Sequence, residues 1–294
     1  MEPKNTFFSK KLTIKCRGEL LDLSEPKVMG ILNLTPNSFY DGGRHNSTEK
    51  IIELVSKMVN DGCDILDIGA YSTKPGAEIV SEKEELERLL PVFDLIKKKF
   101  PDLLLSLDTF RSEIARIAIT DYAIDMINDI SAGDMDNKML ETIVKHNVPY
   151  IMMHMQGTPQ IMQQNPDYKN VVKEIMMYFS EKVSKAKMLG LNDVIIDPGF
   201  GFGKTLDHNY QLLNYLSDFR IFELPILVGL SRKSMIYKTL NTTADESLNG
   251  TTVLNTLALA GGANIVRVHD VREAKETITL YQKFSNAHVP NWHD

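Results

Sequence analysis

Polar side chains follow the apolar runs of this chain, and their types suit one kind of chemistry. They are Asn33, Asp108, Asn128, Asp197, Lys233, Arg267 and His269. Carboxylates and an amide, as in Asp108, Asn128 and Asp197, suit a flat heterocycle whose edge alternates hydrogen-bond donors and acceptors. Arg267 is suited to stack on the face of such a ring.

The cationic residues of the same set indicate an anionic substrate. Asn33 together with Lys233 and Arg267 suits a polyphosphate held through Mg²⁺, a hard ion that takes oxygen ligands and keeps several waters. Cys16 and Cys63 lie outside the ends of the runs, and the spacing of the chain reveals no combination of Ser, His and an acid. Transfer chemistry with a departing anion is therefore favoured over covalent catalysis.

Two other polar residues at the ends of the runs have a simpler interpretation. Asp129 fits a helix cap or a turn, so we leave it out of the site. His154 stands among methionines, where a histidine is more often a hydrogen-bonded core residue than a ligand. What favours a site is that carboxylate, amide and cation recur at the same end of successive runs.

The stretch GFGFGKT resembles a nucleotide-binding P-loop. That pattern requires a glycine five residues before the glycine of Gly-Lys-Thr, and Pro198 occupies that position. The sequence therefore argues against a P-loop nucleotidase.

Eight apolar runs alternate with amphipathic stretches. The runs read KVMGILNL, CDILDIG, LLLSLDT, AIDMINDIS, PYIMMHM, DVIIDPG, PILVGLS and ANIVRVHD. Helical periodicity follows them, for example over 48–60 and over 81–99, where Ser81 with Glu84 forms a capping-box start. This count predicts an α/β fold, the closed (β/α)₈ TIM barrel, with its site at the C-terminal ends of the strands. The alternative, an open doubly wound sheet, usually carries GxGxxG after its first strand, and the first turn here reads NLTPNSFYDGG.

The segment before the first run predicts a small additional element. Residues 12–23, LTIKCRGELLDL, read as a β-hairpin that turns at Arg17 and Gly18. Such a hairpin could cover the bottom of the barrel. We expect a single domain over 1–294, with the hairpin at about 12–23 and the barrel at about 26–285.

The composition excludes several classes of partner. The net charge is -6 and the isoelectric point about 5.7, so neither nucleic acid nor an anionic membrane is expected as a partner. The chain has 2 cysteines in no metal-ligand spacing, which argues against a disulfide scaffold and a structural zinc site. Without an apolar signal or a membrane span in the sequence, we expect a cytoplasmic protein.

Eight short motifs together resemble the dihydropteroate synthase family of folate biosynthesis. They are GILNLTPNSFYDGG, DIGAYSTKPGA, SLDT, NDISAG, MHMQGTP, DPGFGFGK, GLSRKSM and IVRVHD, in this order from Val28 to about Ala274. The resemblance implies a TIM-barrel transferase that joins 4-aminobenzoate to 6-hydroxymethyl-7,8-dihydropterin diphosphate, releasing pyrophosphate in an SN1-like step. It also implies a Mg²⁺ requirement, a homodimer, and inhibition by sulfonamides.

The resemblance also implies roles for individual residues. Asn33 would hold Mg²⁺ on the diphosphate, and Met153 would line the pterin slot. Arg267 would cover one pterin face and, with His269, bind the departing diphosphate. The pterin edge would be ringed by Asp108, Asn128, Asp197 and Lys233.

Further positions of the chain match the family's 4-aminobenzoate pocket and catalytic loops. The pocket positions are Phe39, Thr73, Pro75, Phe202, Lys233 and Ser234. Loop residues Asp41 and Lys74 would act with Asp108, Lys233 and Arg267 in catalysis.

The two loops depart from the family pattern at several positions. Ala70, Tyr71 and Lys74 stand where the family has Gly, Glu and Arg, and Asn37 and Tyr40 replace Asp and Ser. Lys74 keeps the positive charge of the arginine but loses its planar fork. We therefore expect activity to survive with weaker closure of the loops.

Two other functions remain open from the sequence. One is a non-catalytic pterin-binding paralogue with altered loops. The other is a pterin-dependent methyltransferase domain, which would bind a methylated folate and a corrinoid partner. The intact SRKS motif and the full first loop argue against the methyltransferase.

Overall fold

A computed structural model of the chain describes residues 12–34, 44–71, 80–162 and 166–287, and only the backbone of 44–47. Its first elements are two short strands, β1 (Thr13–Cys16) and β2 (Glu19–Asp22), paired antiparallel. Arg17 and Gly18 between them have φ of 53° and 81°, as a two-residue hairpin turn requires. The predicted hairpin is confirmed.

Eight parallel strands follow, one for each predicted apolar run. They are β3 (Lys27–Asn33), β4 (Ile65–Gly69), β5 (Leu104–Asp108), β6 (Met126–Asp129), β7 (Tyr150–Met153), β8 (Val194–Asp197), β9 (Leu227–Val228) and β10 (Ile265–Val268). Their order in the sheet is β8-β7-β6-β5-β4-β3-β10-β9, and a parallel bridge from Ile196 to Ile226 joins its two ends. The predicted (β/α)₈ barrel is confirmed.

Helices connect these strands on the outside. They are α1 (Arg44–Asn60), α2 (Glu82–Lys99), α3 (Ser112–Tyr122), α4 (Met139–His146), α5 (Val171–Met188), α6 (Leu206–Asn214), α7 (Ser234–Leu240), α8 (Leu248–Gly261) and α9 (Val271–Ser285). A 3₁₀ helix spans Leu216–Phe222, and two helices, α7 and α8, lie between β9 and β10. None of the helices in the described ranges is both long enough and apolar enough to cross a membrane.

Helix boundaries differ slightly from the sequence prediction. Helix α1 begins at Arg44, four residues before the predicted start, because the polar residues of its first turn carry no apolar stripe. Ser81 caps α2 by accepting a hydrogen bond from the Glu84 amide at 3.2 Å. The Glu84 carboxylate accepts instead from Arg88 at 2.5 Å, so only the first half of the predicted capping box forms.

Two apolar layers hold the barrel together. The larger lies between the strands and the helices and includes Val55, Leu89 and Phe93, each 6% exposed or less. The smaller closes the bottom of the barrel, where hairpin residues Ile14 and Leu23 pack on the first inward side chains of the strands. With the lower barrel filled by apolar groups, the inward polar side chains lie above this layer, toward the C-terminal ends of the strands.

Candidate active site

The pleat of the strands decides which side chains reach the barrel interior. Gly30 faces the helices, because a Cβ there would lie 2.9 Å from the Cys63 sulfur. Its neighbours in β3 therefore face inward, since successive residues of a strand alternate faces. The same alternation turns Asp67 of β4, Asp108 of β5 and Arg267 of β10 inward, where they meet.

Arg267 is the centre of the site. Its Nε donates to Asp67 Oδ2 at 2.6 Å, and its Nη2 donates to Asp108 Oδ2 at 2.9 Å. Asp67 also accepts from Asn128 Nδ2 at 2.9 Å. Hydrogen bonds therefore join four side chains, contributed by β4, β5, β6 and β10.

Asp108 has room beside Gly69, the residue opposite it on β4. A Cβ at position 69 would lie 3.3 Å from the Asp108 Cβ, so a larger residue would crowd this carboxylate. Burial raises the pKa of Asp108 to about 7, although the Arg267 charge opposes that rise and Asp67 adds to it. Asp108 can therefore gain or lose a proton near neutral pH.

A second group of predicted residues surrounds the loop after β8. Asp197 is 5% exposed, and its Oδ1 accepts from the Gly199 amide at 2.8 Å. Lys233, the N-cap of α7, donates to the Phe200 carbonyl oxygen, and its ammonium lies 4.7 Å from the centre of the Phe202 ring. Burial lowers the pKa of Lys233 to about 8, while the Asp197 charge opposes the shift.

The other predicted residues border the same mouth. Asn33 is exposed at the end of β3, and Met153 is buried at the end of β7. Ser234 is the first residue of α7. His269 is exposed after β10, with its Nδ1 3.0 Å from Ser231 Oγ.

Five predicted residues lie outside the described part of the chain. They are Phe39, Asp41, Thr73, Lys74 and Pro75. The described residues beside the second loop are held by two arginines: Arg88 donates to the Ala70 carbonyl at 3.0 Å, and Arg111 donates to the Val80 carbonyl at 2.6 Å.

Asp67 is a residue that the sequence interpretation missed. It lies within the run CDILDIG and not at its end, so counting strand ends passed over it. The available signal was a single charge in an apolar strand, two residues before Gly69 and hence on the same face.

The simpler interpretations of Asp129 and His154 agree with the geometry, and so does the rejection of a P-loop around Lys204. Asp129 accepts hydrogen bonds from Ser131, Gly133 and Tyr150, as a structural turn residue does. Lys204, of the rejected P-loop pattern, is 3% exposed and donates to the carbonyls of Gly199 and Phe202. Its Nζ also lies 3.0 Å from His154 Nδ1, so the amino group is engaged within the protein.

The donor set at the mouth fits a Mg²⁺ ion that arrives with a phosphate. In the described ranges, no three His, Cys, Asp or Glu side chains are grouped to hold a metal ion. Mg²⁺ commonly uses one or two protein oxygens together with substrate phosphate and water. The exposed amide of Asn33 offers one such oxygen.

Comparison with known proteins adds an independent result. The pattern of the family described as "Pterin binding enzyme" matches residues 29–269. The chain is 43% identical to dihydropteroate synthase of Escherichia coli (strain K12) over 268 residues, 90% of this chain and 94% of the relative. It is 41% identical to the enzyme of Haemophilus influenzae, covering 94% and 100%.

Solved structures agree with the sequence matches. A Yersinia pestis dihydropteroate synthase in complex with a sulfonamide drug superposes with a TM-score of 0.87 at 41% identity, covering 94% of this chain and 100% of that one. A Xanthomonas albilineans dihydropteroate synthase with 4-aminobenzoic acid gives 0.87 at 36% identity, covering 94% and 99%.

Proposed function

We propose residue roles for this chain, which belongs to the pterin-binding enzyme family. Its relatives from Escherichia coli and Haemophilus influenzae are dihydropteroate synthases. Its function is that of a dihydropteroate synthase, a transferase of folate biosynthesis. It condenses 6-hydroxymethyl-7,8-dihydropterin diphosphate with 4-aminobenzoate and releases pyrophosphate. The observation that carries the assignment is the convergence of Asp108, Asn128, Asp197, Lys233 and Arg267 at one end of the barrel.

The pterin edge is recognised by groups of both hydrogen-bonding types. Asp108 and Asp197 accept from its amino and ring N–H groups, and Lys233 donates to its ring acceptors. Asn128 offers an amide, which can do both. Met153 lines the slot, and Arg267 covers one face of the ring.

Cleavage of the C–O bond produces two opposite charges, and the site has groups that stabilise each of them. When the pyrophosphate leaves in an SN1-like step, the C–O bond breaks with its electron pair on the diphosphate, and a pterin methylene cation remains. The Asp108 carboxylate stabilises that cation, while Arg267 and His269 bind the departing anion. The amine of 4-aminobenzoate then attacks the methylene carbon and loses a proton.

Asn33 would hold Mg²⁺ against the diphosphate, where the ion supplies positive charge to the leaving group. The 4-aminobenzoate binds between Phe202, Lys233 and Ser234. The remaining proposed positions lie outside the described residues: Phe39, Thr73 and Pro75 for 4-aminobenzoate, and Asp41 and Lys74 in the catalytic loops. In support of this pocket, the Phe202 ring and the Lys233 ammonium already contact each other.

The decisive experiment mixes the purified protein with the dihydropterin diphosphate, Mg²⁺ and 4-aminobenzoate, omitting each component in turn. Mass spectrometry should detect dihydropteroate and pyrophosphate only in the complete mixture. Pterin binding without product would indicate the non-catalytic paralogue, and cobalamin in the purified protein would indicate the methyltransferase. The relatives from Escherichia coli, Haemophilus influenzae and Synechocystis are dihydropteroate synthases, which favours the first outcome.

We also propose a homodimer formed through α8 and α9. These helices pack against each other, and they expose four large apolar side chains: Val253 at 50%, Leu257 at 53%, Leu280 at 72% and Phe284 at 78%. Several large apolar side chains exposed on two neighbouring helices favour a protein interface there.

The dimer is tested by measuring mass in solution with light scattering. We expect twice the 33.3 kDa of one chain, and a shift to the single mass on Leu280→Glu. Leu20→Glu is the matched control, because Leu20 is also 72% exposed but lies on the hairpin. A wild-type chain that elutes at the single mass would refute the dimer.

A cytoplasmic location is proposed from the thiols. Cys16 and Cys63 are both free and buried, and they are the 2 cysteines of the sequence. Free thiols persist in a reducing compartment.

A further inference from the structure

Asp67 combines complete burial with contacts to two proposed pterin-binding residues. It lies in the middle of β4, is 0% exposed, and faces the barrel interior. Its Oδ2 accepts from both Arg267 Nε and Asn128 Nδ2, at 2.6 and 2.9 Å. This carboxylate therefore lies below the proposed pterin site and contacts two of its residues.

Stability alone gives a poor reason for a carboxylate at this position. Its other oxygen, Oδ1, has no hydrogen-bond partner among the described residues, and neither has the hydroxyl of Ser106, which faces it across the register of β4 and β5. Leaving a buried polar atom unsatisfied costs free energy. Buried ion pairs also often contribute no more stability than apolar residues of the same volume.

The carboxylate determines which way the Asn128 amide points. A carboxylate only accepts hydrogen bonds, so it can bind the NH₂ end of the amide and not the oxygen end. Asn128 Oδ1 is therefore turned away from Asp67. An amide held in this way presents an acceptor in a fixed direction, which a freely rotating amide would not.

The same carboxylate determines the plane of the Arg267 guanidinium. Nε is bound by Asp67 and Nη2 by Asp108, so two neighbouring donors of one rigid fork are engaged by two different strands. A guanidinium that must cover a flat ring needs its plane fixed before the ring arrives.

We propose that Asp67 is a positioning residue of the synthase, which sets the orientation of Asn128 and Arg267 for the dihydropterin. It does so without touching the substrate, and the Arg267 guanidinium that it holds also binds Asp108. This inference rests on the proposed function, because it assumes that these residues bind the pterin.

The first test compares Asp67→Asn with Ser106→Ala as the matched control. Asn at 67 has the same shape but carries an NH₂ group that can meet the Asn128 oxygen, so the amide is free to reverse. We expect KM for the dihydropterin diphosphate to rise at least ~10-fold, the loss associated with one charge-assisted hydrogen bond. KM for 4-aminobenzoate and the activity of Ser106→Ala should stay near those of the wild type.

The second readout is the pH profile of kcat/KM, which a purely structural role would not move. The charged and titratable groups that act on Asp108 are Arg267, which lowers its pKa, and Asp67, Glu85 and Asp129, which raise it. Removing the Asp67 charge should move the acidic limb of the profile to lower pH. Asp67→Glu keeps the charge but displaces Arg267, whose charge lowers the pKa of Asp108, so it should raise KM without moving that limb to lower pH.

The outcomes distinguish a failure of the proposed function from a failure of the positioning role of Asp67. An inactive wild-type chain would refute the proposed function itself. An active wild type with unchanged KM and an unchanged pH profile in Asp67→Asn would refute the positioning role. A lower melting temperature with unchanged KM would likewise refute it and leave Asp67 as a stability residue.

Discussion

Two titratable side chains at the mouth of the barrel have pKa values shifted toward neutrality from opposite directions. Burial raises the pKa of Asp108 to about 7 and lowers that of Lys233 to about 8. The cause is the same in both, because burial disfavours the charged form of either group. The carboxylate and the ammonium that the mechanism needs therefore coexist over a narrow range of pH.

We predict a bell-shaped pH profile of kcat/KM for the dihydropterin diphosphate, with limbs near the two values of about 7 and about 8. Below the lower value Asp108 gains a proton, and above the higher one Lys233 loses its proton. Steady-state assays from pH 5 to 10 measure it. Asp108→Asn should lose the acidic limb, and a limb that persists in this variant would assign it to another group, such as the substrate diphosphate.

The raised pKa of Asp108 also makes the stability of the protein depend on pH. Because the folded-state pKa is raised above the ordinary value of 3.8, the contribution of this group to stability is fully present at low pH. It is lost as the pH rises through about 7.

The effect of replacing Lys74 can be predicted from the chemistry of its side chain. Lys74→Arg restores the planar fork that the family has at this position, so turnover should be equal to that of the wild type or higher. Lys74→Met removes the charge and should lower it. A large drop in kcat for Lys74→Arg, measured beside the wild type, would contradict the expectation that the lysine only weakens loop closure.

The loop between β8 and α6 is held by the buried side chain of Lys204, whose pKa is lowered by burial. Lys204 donates to the carbonyls of Gly199 and Phe202 at 2.8 and 2.9 Å. The same loop offers the Phe200 carbonyl and the Phe202 ring to Lys233. Gly199, at φ 73°, must remain glycine because a Cβ there would lie 1.9 Å from the His154 carbonyl oxygen.

We predict that Lys204→Met destabilises the protein by at least ~2 kcal/mol, since several buried acceptors lose their donor at about 1–3 kcal/mol each. It should also raise KM for 4-aminobenzoate, because the loop that carries Phe202 loses its support. Urea unfolding and steady-state kinetics measure the two effects. Lys187→Met, at an exposed position of α5, is the control and should change stability by less than about 0.5 kcal/mol. An equal effect of both variants would contradict the role given to Lys204.

The hairpin of β1 and β2 is bound to the bottom of the barrel through Arg17. Arg17 binds both oxygens of Asp125, at 2.6 and 2.8 Å, and the carbonyls of Pro101 and Leu103. Asp125 in turn accepts from the Leu105 amide of β5 at 2.7 Å. We therefore propose that the chain is a single domain in which hairpin and barrel unfold together.

Arg17→Ala tests this proposal. It leaves Asp125, whose side chain is 3% exposed, with Lys97 at 3.5 Å as its remaining ion pair. We expect a loss of about 1–3 kcal/mol, less than for a fully buried pair because Arg17 is partly exposed. Calorimetry should show one transition at a lower Tm with kcat unchanged, and two separate transitions would refute a single domain.

The amino-acid sequence was sufficient to predict the elements and most of the polar residues around the mouth. Short apolar runs rich in Ile, Leu and Val become parallel strands because both of their faces are covered, and all eight runs do so. Strand ends then gather at one end of the barrel, which is why Asp108, Asn128, Asp197 and Arg267 could be named from their spacing. The ordered motifs added the family, and the comparisons agree with it.

How these residues act on one another follows from the folded barrel and could not be predicted from the sequence. The contact between Asp67 and Arg267 joins residues 200 positions apart, and it depends on which face of each strand turns inward when the barrel closes. The sequence excluded a P-loop around Lys204 without showing what this lysine does, and the turn after β8 directs it at His154, Gly199 and Phe202 of the protein itself. Shifted pKa values likewise arise from burial and from charges on other strands. A linear pattern gives the order of residues along the chain, whereas these properties depend on distances between strands, which are fixed only when the sheet closes.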